Sequence, residues 1–213
     1  MTNRGERNEE KGFEQQLLEA ENQIAKAISE LFDLEDVLHN VCYQIKSQLD
    51  FDFVGISLVL LAQNTIESVY GVGIAEDWAN MARHYLEEDQ DLRDIQADIV
   101  KREGRTEIIA GWDNRFDRWL YETFKHDQIN RIFTPILLLR DRSGRILRDW
   151  FEYYDWEHNF TRQAVNVREQ HKVIDMRFPE EVVSIKVIGT IEAGYKNSDK
   201  EIPLEKAVEL AQL

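Results

Sequence analysis

The 213-residue sequence is poor in cysteine, in long apolar runs and in basic residues, and each shortage excludes a class of protein. Cys42 is the sole cysteine, so the chain has no internal disulfide framework and no cysteine-based zinc site, and it suits a reducing compartment. The longest apolar run, Phe53 to Ala62, is about half the length of a membrane-spanning helix. Residues 1–12 lack the apolar core of a secretory signal peptide. Together these absences predict a cytoplasmic protein.

The shortage of basic residues bears on the partners that the chain can have. Lysine and arginine number 26 against 41 aspartates and glutamates, which gives a net charge of -15 and a pI near 4.8. Non-specific binding to nucleic acid or to an anionic membrane needs a basic surface, so neither partner is predicted. The hydrophobic content of 43% and the length suffice for one core with an appended helix.

The N-terminal part of the chain has the periodicity of helices. Residues 1–12 are polar and predict a disordered tail. Apolar residues then recur at helical spacing from Phe13 to Leu49, which predicts two consecutive helices, the second beginning near Asp33. The first of them carries about two heptads of a coiled-coil seam, a length that fits either a coiled coil or a helix packed on a core.

The rest of the chain mixes strands with short helices. Strands are predicted at 51–61, 65–72, 106–110, 131–139 and 182–195, and helices at 75–86, 95–101, 114–125 and 202–213. The first two strands form a hairpin with its turn at Gln63 and Asn64, and Pro135 predicts an edge or a bulge in the fourth. An irregular segment is predicted at residues 140–180. This mixed order favours an α+β domain with a mostly antiparallel sheet and helices packed on it.

Four segments between residues 29 and 196 resemble parts of a GAF domain. They are SELFDLEDVLHNVCYQIKSQL, FDFVGISLVLL, TIESVYGVG and VIGTIEAGY. The resemblance implies an α+β fold with a central antiparallel six-stranded sheet, helices on both faces and an extended N-terminal helix. It divides the chain into a tail and helix at 1–28, a GAF-like domain at 29–196 with an insertion at about 140–180, and the start of an exit helix at 197–213.

The resemblance also implies a function. GAF domains carry a small-molecule pocket on one face of the sheet, and their terminal helices pair in a homodimer and transmit a signal. The segment ADIVKREGRTEIIAGWDNRFDRWLYETFKHDQINRIFTPI is similar to that of bacterial sensory proteins in which a GAF module precedes a kinase or a cyclase. A covalent bilin is disfavoured because Cys42 falls in a helix, where a buried, inert thiol is expected. No cyclic-nucleotide signature matches, so the ligand is left unknown.

Aromatic and cationic residues concentrate between Gly111 and Ile136. The candidate ligand-binding residues are Trp112, Asp113, Arg115, Phe116, Trp119 and Arg131. In one interpretation Asn114 caps a helix that turns Phe116 and Trp119 to the sheet and Arg115 to solvent. In the other, the start of that helix at Trp112 and Asp113 receives a small anion. Both remain open at the level of the sequence.

The last feature is an aromatic and acidic run at 149–158, DWFEYYDWEH. Its carboxylates follow no familiar spacing of metal ligands, so no metal is predicted. It supports an alternative function, a protein-interaction or dimerisation domain without a ligand. The sequence has no phosphate-binding loop or nucleophile elbow, and its histidines show no meaningful spacing to a carboxylate, so a non-enzymatic sensory or regulatory domain is predicted.

Overall fold

The computed structural model describes residues 34–74, 82–86, 94–102, 105–123, 125–147, 165–168, 171–176 and 178–211. The chain forms two compact units, residues 1–40 and 41–213. In the first unit, residues 34–40 are helical, and Leu34 and Val37 are 44% and 55% exposed. The predicted tail and first helix lie outside the described residues. Within the described residues, no helix has both the length and the apolar character needed to cross a membrane.

In the part of the second unit that the structure describes, eight strands form one antiparallel sheet. The strands are β1 (Phe53–Leu60), β2 (Thr65–Val72), β3 (Arg83–Tyr85), β4 (Arg105–Ala110), β5 (Asn130–Arg140), β6 (Val165–Arg168), β7 (His171–Asp175) and β8 (Ser184–Tyr195). Their spatial order is β3-β2-β1-β8-β5-β4-β7-β6. The family resemblance implied six strands. The short strands β3 and β6 extend such a sheet at its two edges.

Helices pack on both faces of the sheet, as predicted. Within the described residues, the helices of this unit are α1 (residues 41–48), α2 (Ile95–Lys101), α3 (Arg118–Thr123) and α4 (Leu204–Ala211). The Thr190 hydroxyl of β8 donates to Gln96 of α2 at 3.1 Å, whereas the Tyr195 hydroxyl of β8 accepts from Lys206 of α4 at 2.8 Å. Side chains alternate along a strand, so residues five apart point to opposite faces. Hence α2 and α4 cover opposite sides.

Apolar side chains explain why these elements pack together. Ile95 and Ile99 of α2, one turn apart, form a buried cluster with Ile109 and Phe133 of the sheet. Cys42 of α1 is 0% exposed, and burial raises the pKa of its thiol to about 12. The predicted buried, inert thiol is therefore confirmed.

Several predicted elements are confirmed by the structure. β2 and α2 have the predicted bounds, and the hairpin turn is closed by hydrogen bonds from Gln63 and Asn64 to the carbonyls of Leu60 and Leu61. β5 is an internal strand, but its pairing with β4 stops at Phe133, and its register with β8 shifts just after Ile136. Pro135 thus lies two residues beyond the last pair between β4 and β5 and beside a bulge, where a missing N–H is tolerated.

Two predictions for the chain after β2 are wrong. The helix predicted to end at 86 is contradicted by β3, because Thr65 pairs with Tyr85 and places 83–85 on the edge of the sheet. The segment 140–180 is not wholly irregular, because β6 and β7 lie in it and β7 pairs with β4. The aromatic run 149–158 lies outside the described residues, and so does 75–81.

The helix predicted at 114–125 is shorter in the structure. α3 begins at Arg118, and the preceding chain turns at Asp113, whose carboxylate accepts from the Arg115 amide at 2.9 Å. Trp119 is 60% exposed, so its predicted packing on the sheet is wrong. The predicted exposure of Arg115 is also wrong, because its guanidinium forms ion pairs with carboxylates that are themselves buried. The pair between Arg118 and Glu122 forms at 2.9 Å on the solvent side, as expected.

Candidate ligand-binding site

Charged side chains lie on the face of the sheet that α2 covers. Phe133 of β5 is paired with Glu107 of β4 on one side and with Glu192 of β8 on the other. Paired residues of neighbouring strands share a face, so the two glutamates flank the phenylalanine in one row. Arg131, two residues before Phe133, lies on the same face. Side-chain alternation thus brings an arginine and two glutamates to the buried side of the sheet.

A cavity of about 40 Å³ lies between this row and α2. Its polar lining residues are His84, Asp94, Gln96, Asp117, His126, Arg131 and Glu192. The rings of Phe116 and Phe133 add aromatic walls. A water molecule needs about 10–15 Å³ of such space, so the cavity suits a solute of a few heavy atoms. Pockets for drug-sized ligands measure about 300–1,000 Å³, so a bilin or a cyclic nucleotide is far too large.

Arg131 and Glu192 form a buried ion pair at the cavity. Arg131 Nη1 donates to Glu192 Oε1 at 3.1 Å, and the side chains are 3% and 10% exposed. Burial raises the pKa of Glu192 to about 7, against the opposing charge of Arg131, and the nearby Asp94 carboxylate adds to the rise. The Arg131 guanidinium also lies 4.7 Å from the centroid of the Phe116 ring.

Asp94 and two histidines also line the cavity. Asp94 Oδ1 accepts from the Gln96 amide at 2.7 Å and so caps α2, while its Oδ2 lies 3.6 Å from His84 Nδ1. Burial raises the pKa of the Asp94 carboxyl. Burial, together with the charge of Arg131, lowers the pKa of His126 to about 3, so its imidazole is neutral at physiological pH.

Next to the cavity, Arg115 is held by three carboxylates. Its Nε donates to Asp113 at 2.9 Å, and Nη1 donates to Asp98 at 3.0 Å and to Glu107 at 3.1 Å. Its Nη2 donates to Glu107 at 2.6 Å and to Asp113 at 3.1 Å. A guanidinium has five N–H donors, and these bonds use them all. An anion at Arg115 would have to displace a carboxylate, although the ligand role predicted for Arg115 remains a prediction.

The pKa values around Arg115 follow from this arrangement. Burial by itself would raise the pKa of Glu107, but hydrogen bonds from His171 and Arg115 lower it to about 2. His171 Nε2 lies 2.7 Å from Glu107 Oε2. The pKa of Asp113 is lowered in the same way, as bonds from Arg115 outweigh burial. The carboxylates are therefore held ionised around a guanidinium whose own pKa they raise.

The six residues predicted from the sequence divide into three groups. Phe116 and Arg131 line the cavity. Asp113 and Arg115 form the ionic cluster beside it. Trp112 is 44% exposed and meets Tyr121 edge-on at 4.7 Å, and Trp119 is more exposed still. In the structure, Phe116 thus contacts Arg131 and Asp113 contacts Arg115, whereas the two tryptophans are exposed to solvent.

Sequence reasoning missed most of the acidic and histidine residues of the site. The missed residues are His84, Asp94, Asp98, Glu107, His126, His171 and Glu192. A signal was present for the two glutamates, because a single charge inside an apolar strand covered on both faces needs a partner. Within the described residues, no group of three His, Cys, Asp or Glu side chains could hold a metal ion.

No protein-family model matches the sequence, and no curated protein matches it. Solved structures are similar in fold. A far-red cyanobacteriochrome photoreceptor is 17% identical, with a TM-score of 0.49 over 93% of this chain and 91% of that chain. The GAF domain of an Acinetobacter phosphoenolpyruvate-protein phosphotransferase is 12% identical, with a TM-score of 0.45 over 84% and 77%. Staphylococcus aureus NreA, mutated in its nitrate binding site, is 11% identical, with a TM-score of 0.43 over 83% and 92%. The likeness to these structures is one of fold alone, and identities and TM-scores this low carry no further argument about the chain.

Proposed function

We propose that the chain is a non-enzymatic, cytoplasmic sensory or regulatory domain that binds a small molecule in the cavity at Arg131 and Glu192. The observation that carries the proposal is this buried ion pair beside a partly open cavity. A buried ion pair adds little to stability, since well-packed apolar residues of similar volume do as well or better. A polar cavity inside a covered sheet is better explained by a ligand than by packing.

The elements around the cavity would transmit the effect of a bound ligand to the ends of the domain. α2 supplies Gln96 and the loop before α3 supplies Phe116, so occupancy changes the packing of both. β8 carries Glu192 at the cavity and Tyr195 at α4, where Tyr195 meets Lys206. A ligand can favour one packing arrangement of these elements over another only if it binds the two arrangements with different affinities.

We extend the proposal to a homodimer formed through the N- and C-terminal helices, with a kinase, a cyclase or a separate protein as output. The exposure of Leu34 and Val37, one helical turn apart, supports such pairing. Sedimentation equilibrium of the full chain should show a dimer that Leu34→Glu weakens. A monomer at a protein concentration of about 100 µM, far above the dissociation constant of a stable dimer, would remove this part of the proposal.

The ligand site itself is tested by filling the cavity. Ala82 lines it, so Ala82→Leu should block a ligand, whereas Ala62→Leu in the exposed β1–β2 turn serves as the matched control. Native mass spectrometry of the full chain, incubated with a mixture of metabolites of a few heavy atoms, should show a bound molecule. The same molecule at 100 times its dissociation constant should raise the melting temperature by about 5–10 °C.

Binding should disappear in Ala82→Leu and persist in Ala62→Leu. The unliganded melting temperature of Ala82→Leu is measured first, to show that the variant folds. If wild type retains nothing from the mixture, or if Ala82→Leu binds as well as Ala62→Leu does, the cavity is not a ligand site and the proposal is wrong.

A further inference from the structure

Arg131 contributes two buried N–H donors that have no hydrogen-bond acceptor within the described residues, Nε and Nη2. The other end of its guanidinium is engaged, because Nη1 donates to Glu192 at 3.1 Å. The ring of Phe116 lies beside the same group, with its centroid 4.7 Å from the guanidinium carbon. Arg131 is 2% exposed and lines the cavity. A buried donor without an acceptor is costly and is rare in folded proteins, so these two donors need an explanation.

The two donors form one edge of the guanidinium. Because the group is planar, the Nε–H bond and one Nη2–H bond are parallel, and the two oxygens of a carboxylate can accept both. Arg115 makes this contact elsewhere in the chain. Its Nε donates to Asp113 Oδ1 at 2.9 Å, and its Nη2 donates to Asp113 Oδ2 at 3.1 Å. A carboxylate therefore has the shape that the same edge of Arg131 fits.

The charge of Arg131 is only partly compensated by Glu192. Burial lowers the pKa of the guanidinium, although the charge of Glu192 opposes this effect. Burial likewise raises the pKa of Glu192 to about 7, against the charge of Arg131. Both shifts disfavour the ionised pair, so the attraction between the two groups does not offset their loss of hydration. An external anion can balance Arg131 when Glu192 takes up a proton.

We propose that the cavity binds a small carboxylate, such as acetate, whose two oxygens accept from Nε and Nη2 of Arg131. The volume of about 40 Å³ limits the ligand to a few heavy atoms. The rings of Phe116 and Phe133 line the cavity and suit the alkyl group of such a ligand. Glu192 is protonated in the complex, so the ligand replaces its negative charge beside Arg131. This inference rests on the proposed function and narrows its ligand to one chemical class.

Sodium acetate is the probe that tests the proposal. It is titrated at pH 6 into the ¹⁵N-labelled full chain, at an ionic strength held constant with sodium chloride. The amide signals of Gln96, Phe116 and Glu192 are followed. They should saturate with a dissociation constant in the millimolar range, since so small a ligand makes few contacts. Acetamide, which has the same shape without the charge, is the matched control and should not saturate these signals.

The pH dependence tests the replacement of the Glu192 charge. If only protonated Glu192 admits the anion, its pKa of about 7 predicts that the affinity for acetate falls about tenfold from pH 6 to pH 8. The other titratable side chains that line the cavity are His84, Asp94, Asp117 and His126. A protonated His84 would act in the same direction as a protonated Glu192. Glu192→Gln separates the two, because glutamine resembles the neutral carboxyl group: its affinity for acetate should be equal at pH 6 and pH 8.

Arg131→Lys tests the two-donor edge itself. Lysine keeps the charge but has no pair of parallel N–H donors in a plane, so acetate binding should weaken at least about tenfold. Arg118→Lys, at an exposed arginine of α3, is the matched control and should leave the affinity unchanged. The melting temperature of each variant shows whether it folds. If Arg131→Lys does not fold, the pH profile of Glu192→Gln decides in its place.

The outcomes distinguish this inference from the proposed function. Saturation by acetate and not by acetamide, weakened in Arg131→Lys and independent of pH in Glu192→Gln, supports it. Equal binding of acetate and acetamide overturns it, and so does an unchanged affinity in Arg131→Lys or a pH dependence that persists in Glu192→Gln. If acetate leaves the signals unchanged while native mass spectrometry detects another bound molecule, the carboxylate proposal alone is wrong. If neither method detects a ligand, the proposed function is wrong as well.

Discussion

Arg115 and Glu107 form an ion pair through two parallel hydrogen bonds, Nη1 to Oε1 at 3.1 Å and Nη2 to Oε2 at 2.6 Å. Glu107 is 1% exposed on β4, and Arg115 comes from the loop before α3. This two-bond geometry fixes the orientation of the guanidinium as well as its distance. The next residue along the chain is Phe116, whose ring lies against Arg131 at the cavity. The pair therefore positions one wall of the cavity.

Arg115→Lys tests the importance of that geometry. An ammonium group keeps the charge but cannot match three carboxylates with five donors, so we expect a loss of about 2 kcal/mol in the free energy of unfolding. Urea unfolding followed by circular dichroism measures it. Arg118→Lys, in an exposed pair with Glu122, is the control and should leave the urea midpoint unchanged. Equal effects of the two substitutions would contradict a structural role for the Arg115 cluster.

The position of Arg115 shows where sequence reasoning ends. Helical phasing placed its side chain in solvent, because only local spacing was visible. Its partners Glu107 and Asp98 lie 8 and 17 residues away, on β4 and on α2. Which carboxylates meet an arginine depends on how the strands pair, and the sequence does not specify that pairing locally. The element types of β2 and α2, by contrast, follow from local periodicity.

A pH-dependent stability should follow from Glu107. Its pKa is about 2 in the folded protein against 4.5 as the ordinary value, because bonds from His171 and Arg115 outweigh the effect of burial. A lowered folded-state pKa gives stability that is fully present above pH 4.5 and is lost as the pH falls toward 2. The shift corresponds to about 3 kcal/mol.

The measurement is urea unfolding of wild type and Glu107→Gln at several pH values between 7 and 2. Wild type should lose stability below pH 4.5 more steeply than the variant, because glutamine does not titrate. The starting stability of the variant is lower, so slopes are compared and not absolute values. Parallel slopes in the two proteins would show that Glu107 does not titrate in this way.

Local sequence patterns were sufficient to predict the bounds of two elements. Alternation together with the turn at Gln63 and Asn64 gave the bounds of β2, and the short run 95–101 gave those of α2. The strand β3 could not be found in this way, because it is three residues long and takes its conformation from pairing with β2. The family resemblance added the antiparallel sheet with helices on both faces, although it missed the two strands at the edges.

His126 should respond to pH in the same direction but over another range. Burial and the charge of Arg131 lower its pKa to about 3 from the ordinary value of 6.5. The unfolded chain therefore takes up the proton first, and stability falls as the pH decreases from 6.5 toward 3. The ¹⁵N shifts of the imidazole should stay those of the neutral ring at pH 5. A charged ring at pH 5 would contradict the burial of His126 beside Arg131.

Lys206 connects the last helix to the sheet and to the end of α1. Its ammonium donates to the Leu49 carbonyl and, at 2.8 Å, to the Tyr195 hydroxyl. Carbonyls at the end of a helix have no partner within the helix, so this lysine satisfies one of them. Lys206→Met keeps the volume and removes the donors. We expect a loss of about 1–2 kcal/mol in the free energy of unfolding, since two acceptors lose a charged donor.

Hydrogen exchange locates the effect of Lys206→Met. The amides of α4 should exchange faster in the variant, because the anchor of that helix is gone. Lys200→Met is the matched control: Lys200 also lies over the Tyr195 ring, at 4.0 Å, but its hydrogen bond goes to Asp50, whose side chain is 80% exposed. It should change neither the urea midpoint nor the exchange of α4. If both lysine variants behave alike, the ring contact matters more than the bond to Leu49, and α4 is not anchored through α1.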